Sequence, residues 1–417
     1  NYSDVLPLAI ESKSQRRKFF PVNGDTFSPT GTNIIRLDIN ADSLLDCAHS
    51  YLQFNLVQTT AQTLAVDQGL PMFQRLRIES GGVVLEDITE YGRLVAMLNQ
   101  CQGGPSQANE QSVQVRANNP SIGGTNGFSM NHNSNTQIAG PSTNTFAVSL
   151  PSALFNSDKY IPLVLLNAGL QLELHLPSAG NNIGASDGGA CDNWTIQAVR
   201  YVAQLVDVDR SFYDRLRMVM EGSGGVLQLH GQAWRHYNAS IGAAATSATI
   251  NIPARVKSIK SIFVRMVESA VALDTLTGGV GQKRSTTSYQ FKVGSVLYPA
   301  SAVSAGDDND AECYNELMKA FGKLGSTAHG NMITLTNFNE DTGGVTHNAG
   351  LATWTMAYDF ESFQRSALES GINTADRSLP ITFEWEGTAV EALRVDTYVL
   401  CDAIFYVNMD GTMSVSV

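Results

Sequence analysis

The sequence has few charged residues and no long apolar run. Charged side chains make up 16% of the 417 residues, and the net charge is -12 at pH 7. A protein that coats nucleic acid needs a basic face toward the phosphates, so this chain taken as a whole is repelled by them. No stretch approaches the ~20 apolar residues that span a bilayer, and the first residues lack a secretory pattern. The composition therefore disfavours nucleic-acid coating and membrane insertion as the main activity.

Cysteine is scarce and scattered. The five cysteines are odd in number and form no C-x-x-C pair: Cys47, Cys101, Cys191, Cys313 and Cys401. This pattern argues against a disulfide framework, and it favours folding in a reducing compartment.

Signatures of metal and cofactor sites are missing as well. His230 and His236 would share one strand face but lie roughly 20 Å apart, because a strand rises ~3.3 Å per residue. The acidic stretch "GDDND" (306–310) lacks the glycine and distant glutamate of a calcium loop, and Asp308 or Asn309 is better placed to cap a helix. No P-loop or nucleophile elbow occurs. The sequence predicts no cofactor, no metal and no small-molecule substrate.

One pair of carboxylates keeps an enzymatic alternative open. In "FEWEG", Glu384 and Glu386 share a strand face and Trp385 lies on the other. Paired carboxylates flank the sugar bond in glycosidases. The alternatives are therefore a solvated strand face with Trp385 in the core, or a tandem jelly-roll carbohydrate-binding protein or glycosidase that uses Glu384 and Glu386.

Alternating apolar and polar residues dominate what the sequence does contain. In "GLQLELHL" (169–176), leucines occupy every second position between Gln, Glu and His. This period of two is typical of half-buried antiparallel strands. Sixteen such runs are predicted, eight in each half: 34–40, 51–57, 73–79, 83–87, 146–150, 161–166, 169–176 and 194–208, then 226–237, 248–252, 258–267, 289–293, 332–338, 351–360, 380–386 and 393–408.

Three short helices are predicted between these strands. One follows 83–87, with Asp87 and Glu90 in a capping-box arrangement, and one spans 212–221 before the stop signal "GSGG". The third spans 309–321. The first and third each follow a strand pair, which indicates a duplicated unit. The predicted fold class is all-β, with two tandem eight-stranded antiparallel jelly rolls and a few short helices.

The predicted organisation has three parts. Residues 1–33 form an N-terminal arm, residues 34–221 the first jelly roll and residues 226–417 the second. A polar loop over 102–145, rich in Asn, Ser and Gly, interrupts the first jelly roll and has too few apolar groups for a core of its own.

The arm carries a short basic run next to two aromatic residues. A solvated arm explains such a run, and so does a contact with a neighbouring subunit, a membrane surface or a packaged genome. The candidate assembly-contact residues are Lys13, Arg16, Arg17, Lys18, Phe19 and Phe20.

Several stretches together resemble a known family. They are "SYLQFNLV", "FQRLRIESGGVVLEDITEYGRLVAML", "DKYIPLVLLNAGLQLELHL", "YQFKVGSVLYP" and "ESFQRSALESGINT". Their order, from about residue 34 to residue 410, resembles the double jelly-roll major capsid proteins of the tectivirus–adenovirus lineage. The likeness is greatest to the polinton-like virus and virophage branch.

The resemblance implies a structural protein and no enzyme. It implies a homotrimer whose six jelly rolls form a pseudo-hexagonal capsomer of an icosahedral shell in a dsDNA virus, assembled inside the host cell. The implied partners are further copies, neighbouring capsomers, penton and minor capsid proteins, and an internal membrane or genome through the arm. A minor capsid or spike protein of the same lineage is a further alternative.

Overall fold

A computed structural model gives the structure of the chain. It describes residues 12–59, 63–65, 70, 72–102, 137–139, 141–157, 159–178, 184–185, 194–222, 224–270, 281–306, 310–325, 331, 333, 335–338, 352–362, 371–375 and 379–417. Most of the loop predicted over 102–145, together with Asp308 and Asn309, lies outside these residues.

The first half of the chain contains thirteen described strands and one helix of three turns. In chain order the strands are β1 Ser12–Phe19, β2 Thr26–Phe27, β3 Ile34–Ile39, β4 Leu44–Gln58, β5 Thr63–Ala65, β6 Arg75–Ser80, β7 Val83–Thr89, β8 Gln137–Ala139, β9 Ser142–Val148, β10 Ile161–Pro162, β11 Leu170–His175, β12 Gly184–Ala185 and β13 Trp194–Val208. Helix α1, Tyr91–Gln102, follows β7, and a 3-10 turn, Leu163–Leu165, follows β10.

The second half contains nine described strands. They are β14 Val226–Ile241, β15 Ser247–Ile252, β16 Ile259–Glu268, β17 Ser288–Val293, β18 Val296–Ser304, β19 Met356–Asp359, β20 Ile381–Glu386, β21 Leu393–Asn408 and β22 Met413–Ser416. Helix α2, Arg210–Gly222, joins the halves, and helices α3, Asp310–Ala320, and α4, Leu335–Phe338, lie between β18 and β19.

Each half is a sandwich of two antiparallel sheets. In the first half, a six-stranded sheet with the order β1-β13-β4-β10, with β2 beside β13 and β9 beside β4, faces a four-stranded sheet β3-β11-β6-β7. In the second half, β14-β21-β16-β19, with β22 beside β21, faces β15-β20-β17-β18. A small sheet β12-β5-β8 is added to the first half. The predicted all-β fold with two tandem jelly rolls is confirmed.

The period of two in the sequence explains the cores. Leu37, Leu76 and Leu172 lie on one face of their sheet and are completely buried. In the first core the rings of Phe54 and Phe146 stack with centroids 4.8 Å apart. Burial of one such side chain contributes about 1.5–3 kcal/mol, so the alternation alone supplies most of the stabilisation of each sandwich.

The duplicated unit exists as predicted. In the first half, hairpin β6–β7 turns at Gly81 and Gly82, both with positive φ, and leads into α1. In the second half, hairpin β17–β18 turns at Gly294, where φ is 62°, and leads into α3. The chain therefore builds a hairpin followed by a helix once in each jelly roll.

Two local predictions are wrong. Asp87 does not cap α1: it belongs to β7, its carboxylate binds the Arg75 guanidinium at 2.7 and 2.5 Å, and the helix begins at Tyr91. The Gln74 carbonyl accepts from the Tyr91 amide instead. Over 332–338 the described residues 335–338 are helical, because apolar character alone does not separate a short helix from a strand.

Part of the predicted arm is a strand of the first sandwich. β1 pairs with β13 along its whole length, from Ser12 opposite Val208 to Phe19 opposite Tyr201. The sequence did not reveal β1 as a strand because seven of its eight residues are exposed, so apolar and polar residues do not alternate along it.

The two jelly rolls stand side by side in the same orientation. One end of the molecule, called the base end here, holds the start of β1, the end of β13, the start of β14 and the end of β21. There the amide of Asn167, from the first jelly roll, donates to the carbonyl of Gly411, from the second, at 3.0 Å. Strand registers thus place both sandwiches with their axes parallel.

The opposite end is called the loop end here. At the base end, β3 and β4 are joined by residues 40–43, and β21 and β22 by residues 409–412. At the loop end, β11 and β13 are separated by residues 176–193, and β16 and β17 by residues 269–287. A long connection, residues 360–380 between β19 and β20, also lies at the base end. The two ends of the molecule therefore differ in their connections, so the molecule is polar along its strands.

Candidate interface strand and jelly-roll junction

The basic run of the sequence lies on the edge strand β1. Lys13, Arg16, Arg17 and Lys18 are all exposed, and within the described residues none of them forms an ion pair. The Arg16 guanidinium lies 5.9 Å from the centre of the Tyr51 ring, and that of Arg17 lies 5.0 Å from the Phe19 ring. These cations rest on aromatic faces and keep their charge available to a neighbour.

The two aromatic residues of the run have different surroundings. Phe19 is buried in the core of its own chain, with 8% of its surface exposed. Phe20 is 61% exposed, and Val22 close to it is 60% exposed. Phe19 therefore holds the strand in place, whereas Phe20 presents its ring outward.

A second functional region, which the sequence did not reveal, is the junction between the jelly rolls. β7, the edge of a first-half sheet, lies against β14, the edge of a second-half sheet. The backbones approach closely at Gly231, where a Cβ atom would lie 2.6 Å from the Ala153 carbonyl oxygen. A residue without a side chain is required for this contact.

A buried cluster of charges crosses this junction. Asp396 of β21 is 3.5 Å from Arg93 of α1, and it is 2.9 Å from both Arg394 and His236. Arg394 in turn reaches Glu90 at 3.1 Å. Two carboxylates thus balance two guanidinium groups across the two halves, and His236 joins Asp396 to Thr89 through its two ring nitrogens.

The charges around Asp396 determine its ionisation. Burial is the largest influence and raises its pKa, but the hydrogen bond with His236 and the charges of Arg93 and Arg394 outweigh it, and the pKa falls to about 2. The carboxylate is therefore ionised at neutral pH and in mild acid, where it attracts its cationic partners.

Glu86 at the same junction behaves in the opposite way. Its carboxylate accepts a hydrogen bond from the Ala153 amide, at 2.9 and 3.0 Å from its two oxygens, and only 3% of the residue's surface is exposed. Burial raises its pKa to about 7, despite the backbone hydrogen bonds and the nearby charge of Arg235, which lower it. The junction between the jelly rolls therefore contains one carboxyl group that titrates near neutral pH.

A polar cleft opens beside the cluster. Its volume is about 690 Å³, and both jelly rolls line it. The side chains at its wall are mostly amides, hydroxyls and paired charges: Asn33, Gln74, Arg75, Thr89, Glu90, His175, Ser178, His236, Asn238 and Asn251. In the described part of the chain, the cleft is the space between two sandwiches that meet along only part of their length.

The other candidate groups from the sequence are dispersed. Trp385 is buried in the core and Glu386 is exposed, as the strand pattern predicted, and Glu386 accepts a hydrogen bond from Ser288 at 3.0 Å. Neither Glu384 nor Glu386 lines the cleft. His230 is exposed, far along β14 from the buried His236.

Within the described residues, no group of three or more His, Cys, Asp or Glu side chains could hold a metal ion. Cys47, Cys101, Cys313 and Cys401 are buried free thiols. No helix in the part of the chain that the structure describes has the length and apolar character of a bilayer crossing.

Proteins similar to this chain are found among solved structures. No protein-family model matches the sequence, and no curated protein matches it. PBCV-1 VP54, in a crystal structure fitted into a reconstruction of the virophage Sputnik, is similar with a TM-score of 0.60 and 11% identity, over 100% of this chain and 99% of that chain.

Two viral major capsid proteins give similar values. The Faustovirus protein has a TM-score of 0.62 at 9% identity, over 96% of this chain and 91% of its own. The mavirus protein has a TM-score of 0.54 at 11% identity, over 100% of this chain and 92% of its own. At these identities the likeness establishes the fold: the chain has the tandem jelly-roll fold of these capsid proteins over its full length.

Proposed function

We propose that this chain is a structural major capsid protein that builds the icosahedral shell of a virion. The observation that carries the proposal is the full-length match of both jelly rolls, in the same order, to capsid proteins of about the same length. A protein that shared one sandwich by chance would match only half of such a chain. The function then depends on shape and repeated surfaces, not on catalysis.

The parallel arrangement of the two sandwiches supports a trimeric capsomer. Three copies around an axis parallel to the strands present six sandwiches with all base ends on one side. This gives a nearly hexagonal block, which tiles a shell more readily than a three-lobed one. Closed symmetry also lets one modest interface be used many times.

The polarity of the molecule supports an orientation in the shell. The loop end would face outward and the base end inward, where the chain enters β1 and where α2 joins the halves. Neighbouring capsomers, together with penton and minor capsid proteins, are the expected partners. The residues before β1 would meet an adjacent subunit, an internal membrane or the genome.

The solution mass of the purified protein tests this proposal. Light scattering should give three times the mass of one chain, and negative-stain images of the same fraction should show a six-sided outline. Concentrating the trimer should produce sheets or shells of these outlines.

A different result would favour the carbohydrate-binding alternative. That result is a stable monomer that binds a glycan on an array and loses the binding when Glu384 and Glu386 are replaced by Gln. The same array with the trimer should give no signal that depends on these two residues.

A further inference from the structure

β1 leaves one side of a sheet open. It pairs with β13 on one side, and no other strand of the described residues pairs with its second side. In an antiparallel pair, every second residue of an edge strand directs its amide and carbonyl away from its partner. β1 thus offers a row of backbone donors and acceptors over eight residues.

The same strand is the strongest concentration of positive charge in the sequence. It contains two lysines and two arginines and no acidic residue, so it contributes +4 to a chain of net charge -12. The remaining residues therefore carry -12 - 4, or -16. A second copy of the chain is therefore acidic on average outside this strand and attracts its positive charge.

Backbone and charge together restrict what can bind. A second β1 strand would place cations opposite cations, which opposes pairing of like edges. A nucleic acid could use the cations but would leave the outward carbonyl groups of the strand without donors. An extended protein segment with acidic side chains satisfies both the backbone and the charges.

We propose that β1 receives an additional strand from an acidic segment of a second copy of this chain. The inference depends on the proposed function, because a shell places other copies beside every edge. Phe20 and Val22, both more than half exposed, continue the surface beyond β1 and would be covered by the same segment. Copies would be joined by sheet extension, with charge selecting the acidic segment.

A pair of matched triple variants tests the role of charge. One variant carries Arg16→Gln, Arg17→Gln and Lys18→Gln. The control carries Arg210→Gln, Arg215→Gln and Arg217→Gln on α2, where the three arginines are also exposed. Both change the net charge by -3. Sedimentation should show association between copies weakened roughly tenfold or more in the first variant, because it removes three exposed ion pairs with the acidic segment. Association of the control should change little.

A cross-linking experiment tests the identity of the partner. Ser14 of β1 is exposed, and a Ser14→Cys variant in a chain with Cys191→Ser can carry a photoreactive group, because the other four cysteines are buried. Irradiation of the assembled protein after nuclease treatment should join Ser14→Cys to an acidic segment of another copy.

Two results would overturn the proposal. One is cross-linking to nucleic acid, with association lost on nuclease treatment. The other is a wild-type protein that forms capsomers and shells while the β1 variant does so equally well. That second result would leave the proposed capsid function intact, whereas a wild-type protein that never assembles would contradict the capsid function itself.

Discussion

The guanidinium group of Arg394, in the second jelly roll, lies 3.1 Å from the carboxylate of Glu90, in the first. Each of these two side chains is less than one-fifth exposed. Desolvation of such a pair costs free energy that is recovered only when every charge has a partner. Arg93 and Asp396 complete the set, so the junction is specified by all four charges together.

Replacing Asp396 by Asn should therefore destabilise the protein strongly. The change leaves Arg93, Arg394 and His236 buried without their carboxylate, and removal of one partner from a buried cluster costs roughly 3–5 kcal/mol. Chemical denaturation measures the free energy of unfolding. Asp38→Asn is the control, because Asp38 is exposed and accepts one hydrogen bond from Gln171 at 3.1 Å. Equal effects of the two variants would contradict a junction held by charge.

Asp396 also gives a prediction for acid conditions. Its pKa is lowered from 3.8 to about 2 in the folded chain. Its contribution to stability is therefore present above pH 3.8 and is lost as the pH falls through 2, and it amounts to about 2 kcal/mol. Between pH 4 and pH 2, the wild-type protein should lose more stability than Asp396→Asn, as denaturation at the two pH values would measure.

Glu86 should make stability depend on pH near neutrality. Its pKa is raised from 4.5 to about 7, so the folded chain holds a proton that the unfolded chain has released in this range. The contribution is complete below pH 4.5 and decreases as the pH rises through 7, by about 3 kcal/mol in total. Glu86→Gln should remove this dependence. Unfolding at pH 5 and pH 8 would detect it, and parallel curves for the two proteins would argue against it.

Gly231→Ala should disturb the contact between the jelly rolls. The added methyl group would lie 2.6 Å from the Ala153 carbonyl oxygen and 3.3 Å from a Phe405 ring carbon, so one strand must move. A cost of about 1–3 kcal/mol is expected for such overpacking. Gly242→Ala is the control, because nothing lies within 4 Å of its added Cβ. The thermal midpoints of the two variants should differ accordingly.

Phe19 and Phe20 should give contrasting results although they are neighbours. Phe19→Ala removes a buried anchor of β1 and should cost about 3 kcal/mol. Phe20→Ala alters a ring that is 61% exposed and should change the stability of the isolated chain by less than about 0.5 kcal/mol. If Phe20→Ala proved as damaging as Phe19→Ala in denaturation, the assignment of Phe19 as the anchor would be wrong.

Glu384→Gln combined with Glu386→Gln should leave the fold and its stability unchanged. Neither carboxylate lines the cleft, Glu386 is exposed and Glu384 is half-buried, so the free energy of unfolding should shift by less than about 0.5 kcal/mol. The mass of the proposed trimer should also be unchanged. Loss of a glycan ligand in this double variant would instead support the carbohydrate-binding alternative.

The strands could be predicted from the sequence wherever one face is buried. Leu170, Leu172 and Leu174 alternate with polar residues because a sheet covers only one of their sides, and that local pattern identifies the strand. β1 escaped prediction because seven of its eight residues are exposed, so its sequence has no apolar period. The sequence pattern wrongly predicted Asp87 as a helix cap, because the spacing of Asp87 and Glu90 matches a capping box. In the structure Asp87 instead pairs with Arg75 on the neighbouring strand.

The junction could not be predicted for a different reason. Its charges come from α1, β14 and β21, and Arg93 and Asp396 are 303 positions apart. The local signal is the presence of Arg394 and Asp396 among buried residues of strand β21, where a charged pair requires buried partners. That signal indicates that partners exist, but it does not identify them.

The position of the turn between β14 and β15 has an evolutionary consequence. The exposed turn at residues 242–246 lies at the loop end, and Gly242 has open space around it. Peptides inserted there would project away from β1 and from the junction. In the shell proposed above, such insertions could vary the displayed surface while the contacts between copies stay the same.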